Sequence, residues 1–103
     1  MSILGTAKPA ANTPATLYSV PVGRMAVVNV AACNTGTAAA KLRIAVSPNA
    51  TPADSEYIEF DVSLAATEVL ERTALSLAAG QKIVVRADSA TVTFNAWGIE
   101  EVA

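Results

Sequence analysis

Apolar and polar residues alternate along this chain in short runs, and each run meets a turn signal before it is long enough to make a stable helix. That feature restricts the fold more than any other, because a period of two sends successive side chains to opposite faces of an extended strand. In residues 56–62, Ile58, Phe60 and Val62 fall on one face, while Tyr57, Glu59 and Asp61 fall on the other. In residues 40–47, Leu42, Ile44 and Val46 oppose Lys41 and Arg43. Shorter runs cover residues 17–20, 68–75, 81–87 and 91–102, the last with Val92, Phe94 and Ala96 opposed to Thr93, Asn95 and Trp97. Residues 24–33 are apolar on both faces at several positions, the mark of a central strand or of one covered by a partner. Pro21-Val-Gly23, Asn34-Thr-Gly-Thr37, the two-proline loop 47–54, Leu77-Ala-Ala-Gly80 and Asp88-Ser89 supply the turns. About seven strands at this spacing predict an all-β chain, an antiparallel β-sandwich of jelly-roll or immunoglobulin-like type.

A chain of 103 residues has room for one such domain. Its apolar content is rich in alanine and valine, with one Trp, two Tyr and two Phe, which suits thin, closely spaced layers. Only 16% of its residues are charged, against about 25% in an average soluble domain. The surface is therefore short of charge, and that favours contact with other protein surfaces. Residues 1–16 carry Pro9 and Pro14 and no sustained period. They read as an extended N-terminal arm, mobile in an isolated chain and held by a neighbouring subunit, with the sandwich domain at 17–103.

A net charge of −2, with seven Lys and Arg scattered along the chain, disfavours a nucleic-acid partner and an anionic membrane. No apolar stretch approaches the length of a membrane span. The first residues lack a basic stretch followed by an apolar core, so no secretory signal is expected. The single cysteine, Cys33, lies in an apolar strand pattern and reads as an inert buried thiol, compatible with synthesis in a reducing cytoplasm. Asn49-Ala-Thr51 matches the glycosylation pattern only by accident on this reading.

The chain has no histidine, which removes the Ser-His-Asp and Cys-His arrangements and the commonest general base. No catalytic residue, cofactor site or metal site is expected, and the chain reads as a non-enzyme. Glu59 and Asp61, two apart on one strand face, are the nearest approach to a carboxylate pair for Ca²⁺ or acid–base work. A straight strand does not supply a calcium loop, so a solvated polar face is the expectation. Ile3 and Leu4 in the arm, with the amphipathic aromatics Tyr18 and Trp97, are the candidate partner-binding residues. Trp97 lies opposite Phe94 in the alternation, so one of the two points away from the core; a core place is the preferred reading for Trp97.

The stretch Leu17-Tyr-Ser-Val-Pro-Val-Gly-Arg-Met-Ala-Val-Val-Asn-Val-Ala-Ala-Cys-Asn34 resembles the opening of a group of small tailed-phage virion proteins. That group begins with an L-Y-x-V-P-x-G turn followed by a valine-rich strand. Leu75-Ser-Leu-Ala-Ala-Gly-Gln-Lys-Ile-Val-Val-Arg-Ala87 looks like the group's L-x-L-x-A-G-x-x-I/V-x-V hairpin, and Val92-Thr-Phe-Asn-Ala-Trp-Gly-Ile-Glu100 is similar to its closing strand. The resemblance implies a β-sandwich part of a virion and brings no catalytic residues with it. A head decoration or cement protein is expected first: a homo-oligomer bound to major capsid protein or other virion proteins. A tail, baseplate or fibre-associated adaptor is the alternative. A carbohydrate-binding sandwich is the third reading, and it requires an aromatic platform beside paired polar groups.

Overall fold

The computed structural model describes residues 2–103. It contains eight strands: β1 (Ser2–Ala7), β2 (Ala15–Ser19), β3 (Arg24–Asn34), β4 (Ala40–Ser47), β5 (Tyr57–Leu64), β6 (Val69–Leu77), β7 (Lys82–Ala87) and β8 (Val92–Val102). A single 3₁₀ turn, Asp54–Glu56, precedes β5. Every strand pair is antiparallel. The pairs β4–β5, β3–β6, β2–β7 and β1–β8 are nested, as in one long hairpin folded over on itself. Rolling that hairpin adds β3–β8 and β4–β7, giving one sheet in the order β1-β8-β3-β6 (sheet A) and a second in the order β2-β7-β4-β5 (sheet B). This is the double-sheet arrangement of a jelly roll. Of the two sandwich types expected, the strand order selects this one.

The core lies between the sheets. Sheet A contributes Ala26, Val28, Val30 and Ala32 from β3 and Val92, Phe94 and Ala96 from β8; sheet B contributes Leu42, Ile44, Ile83 and Val85. Small residues at Ala26, Ala32 and Ala96 let the sheets approach closely, and Phe94 fills the space between them. Gly98 has a related role. A Cβ there would overlap the Val27 carbonyl oxygen, so only glycine lets β8 lie this close to β3.

Two expectations change. The N-terminal segment is not free of the sandwich: Ser2–Ala7 pair with β8 from Ser2–Gly98 to Ala7–Phe94. It lacks a clean period because it is an edge strand with a bulge between Ile3 and Gly5. Gly5 is needed where β1 crosses β2, since a Cβ there would overlap the Leu17 carbonyl. What holds this segment is the chain's own β8, so no neighbouring subunit is required. The second change concerns β5, the cleanest alternation in the sequence. It is an edge strand whose register against β4 shifts twice, with Asp61 at φ 52°.

Candidate interaction surfaces

The outer face of sheet A carries an apolar patch assembled by register. Ile3 of β1 lies directly opposite Trp97 of β8, and Trp97 lies opposite Asn29 of β3. In the adjoining rows Ile99 faces Val27, and Glu101 faces Met25. Directly opposed residues share a face of the sheet, so Ile3, Trp97, Ile99, Val27 and Met25 form one continuous surface. Ile3 is 70% exposed, Met25, Val27 and Ile99 are exposed, and Trp97 is half-buried. Isolated apolar side chains on a surface are ordinary; here five adjoin one another on one face of the sheet.

The four candidate contact residues separate here. Ile3 and Trp97 stand side by side on the patch. The preferred core place for Trp97 does not hold: Phe94 is fully buried, and Trp97 takes the outer face. Leu4 is partly buried and packs against the core. Tyr18 is 7% exposed and belongs to the core, with its hydroxyl donating to Glu100 Oε2 at 2.6 Å. That bond runs from an edge strand of sheet B to a central strand of sheet A. Burial first, and then the Glu100 carboxylate, push the Tyr18 phenol above its ordinary value. Tyr18 is thus a fastener between the sheets, and the amphipathic character that suggested a contact residue serves that bond. Cys33 is half-buried, and the alternation of β3 turns it to the outer face of sheet A between Thr93 and Val69.

The bulges in β5 separate the two carboxylates that the sequence placed together. Asp61 forks with Arg43 of β4, accepting from Nε at 2.6 Å and from the terminal nitrogen at 3.2 Å. Glu59 instead reaches Arg72 of β6, in the other sheet, at 3.0 Å. The Arg43 fork holds the Asp61 carboxyl below its ordinary value. Among the described residues no group of three or more Asp, Glu or Cys could hold a metal ion.

The outer face of sheet B also holds a feature the sequence reading missed. Tyr57 and Phe60 form an edge-to-face pair with centroids 5.1 Å apart, and the Arg43 guanidinium lies 4.1 Å from the Phe60 centroid. Phe60 reaches this face because the bulge at Phe60 and Asp61 reverses the inward direction expected for it. Aromatic and polar groups do meet here, as a carbohydrate platform would require. The edge-to-face geometry and the stacked guanidinium leave no flat ring pair to receive a sugar.

No family model matches the chain, and no curated protein does. Two solved structures align with 95% of it at 20% identity and a TM-score of 0.47. Both are crystal structures of a pentameric capsid protein isolated from metagenomic phage sequences. The chain spans 64% and 63% of their lengths, less than two thirds of either.

Proposed function

We propose that this chain is a non-enzymatic structural protein of a phage virion, a decoration or cement protein that lays the outer face of sheet A on adjacent major-capsid subunits. The apolar patch of Ile3, Trp97, Ile99, Val27 and Met25 carries this reading: it is a continuous apolar surface on one broad face of the domain. The resemblance of residues 17–100 to small tailed-phage virion proteins supplies the kind of assembly. Jelly rolls also serve as lectins and cupins, so the fold supports the reading without selecting it. Weak contacts repeated around a closed shell would combine through avidity into firm attachment. Ile3 and Trp97 remain as proposed partner-binding residues, while Leu4 and Tyr18 act within the domain.

Copy number in purified particles tests the proposal. Hundreds of copies per particle fit a decoration protein. A small multiple of three or six would move the chain to the tail, and absence from particles would end both virion readings.

A further inference from the structure

We propose that a depression on the outer face of sheet B, lined by Asn12, Lys41, Arg43, Asp61, Arg86 and Asp88, binds a single oxyanion group, a phosphate or a carboxylate. The depression has a volume of about 150 Å³, ample for one such group. It gathers three of the chain's seven basic residues, although the net charge of the chain is −2.

The strand register explains why this place attracts an anion. Arg43 of β4 stands directly opposite Arg86 of β7. Like charges in that relation repel. Lys41 lies two residues from Arg43 on the same strand and so on the same face. The two carboxylates at the rim are engaged by groups of the depression itself, neither of them the Lys41 ammonium or the Arg86 guanidinium. Asp61 is occupied by the Arg43 fork, and Asp88 Oδ1 accepts from the Lys41 backbone N–H at 2.8 Å. Among the described residues the ion pairs are Arg43–Asp61 and Arg72–Glu59, so neither the Lys41 ammonium nor the Arg86 guanidinium has a carboxylate within 4.0 Å. Arg86 makes one long bond, 3.5 Å, to Asn12 Oδ1. Asn12 is itself held at the rim by its backbone N–H, which donates to Ala87 O at 2.7 Å. The depression therefore presents, on central strands, an ammonium with no carboxylate partner and a guanidinium held by one long bond. Asp61 responds to the same field: after Arg43, both Lys41 and Arg86 act to lower its pKa.

Arg86 supplies planar N–H donors suited to the edge of an oxyanion, and Lys41 adds a point charge. Phosphate and carboxylate share this chemistry, and the second could come from an acidic side chain of a partner protein. The test is a ¹⁵N–¹H NMR titration of the intact chain with sodium phosphate and, separately, with sodium acetate, ionic strength being matched with sodium chloride. Saturable shifts are expected at the amides of Asn12, Lys41, Arg86 and Asp88. Arg86→Gln and Lys41→Gln should each weaken binding by about tenfold, the effect of one charge-assisted bond. Lys82→Gln, outside the depression, should leave it unchanged. Saturation by phosphate alone assigns the site to a tetrahedral anion, and saturation by both extends it to carboxylates. Shifts that never saturate, that spread equally to Arg24, Arg72 and Lys82, or that saturate with unchanged affinity in a folded Arg86→Gln variant would overturn the proposal.

Discussion

Asn34 joins three stretches of chain through one fully buried amide. Its Nδ2 donates to Ala38 O and Leu64 O, and its Oδ1 accepts from the Gly36 N–H and the Thr91 hydroxyl. Every hydrogen-bonding position of the side chain is used. In the sequence Asn34 looked like the first residue of a hairpin turn, because asparagine in a turn is common. Nothing local marks Leu64 and Thr91, the two partners that come from distant parts of the chain. Asn34→Ala removes four hydrogen bonds and strands the buried Leu64 carbonyl, and should lower unfolding free energy by about 3 kcal/mol in urea titrations. Tyr18→Phe is gentler, about 1 kcal/mol at neutral pH, because Glu100 is exposed and water can replace the hydroxyl. Its signature lies in alkali. Folding raises the Tyr18 pKa, so the folded chain holds that proton more tightly than the unfolded one. The resulting stability is fully present below the ordinary value of 10.0 and is lost as pH rises above it. Wild type should therefore lose its advantage over Tyr18→Phe as pH climbs beyond that value, measured by denaturant unfolding of both proteins. A constant difference at every pH would contradict the Tyr18–Glu100 fastener.

At the scale of elements, legibility in the sequence followed position in the sheets. β4 was readable to its ends, and β3, β7 and β8 to within a residue or so, because these central strands are rich in apolar residues and bounded by clear turn signals. Edge strands were harder. β1 carries Gly5 and a bulge, and its apolar residues serve two surfaces, Leu4 the core and Ile3 the solvent. β5 showed a perfect alternation that its two register shifts undo. β6 is interrupted too, with Ala74 at φ 58° and its N–H bonded to Asn29 Oδ1. All four edge strands carry a register irregularity, a device that discourages edge-to-edge pairing. Bulges depend on contacts made across the sheet, which a single strand's sequence does not display. The integration of β1 gives a direct expectation. In hydrogen exchange of the monomeric chain, β1 amides bonded to β8 should be protected without any neighbour present. Exchange at the rate of a free tail would return residues 2–7 to the status of an arm.

At the scale of the whole molecule, the two broad faces differ. The domain measures 42 × 28 × 18 Å, a slab only two sheets thick. A 42 × 28 Å face can supply the ~800 Å² that one partner brings to an interface of standard size. The sheet B face carries the Arg43–Asp61 pair, the Tyr57–Phe60 pair and the depression lined by Lys41 and Arg86, whereas the sheet A face carries the larger apolar patch. With the edges blunted, association falls to the faces, and the apolar one is suited to burial. Val27→Lys places a charge in the middle of the patch without touching the core. Its thermal stability should stay within about 1 kcal/mol of wild type, while attachment to particles falls by tenfold or more in co-sedimentation. A variant that attaches normally would remove sheet A from the contact.

Electron cryomicroscopy of virions carrying this chain would show directly what covers the outer face of sheet A. Repeated density for the jelly roll is expected on the capsid shell, with Ile3, Val27, Trp97 and Ile99 buried against a neighbouring subunit. Particles lacking the chain, or holding it with the outer face of sheet A open to solvent, would contradict the proposed role.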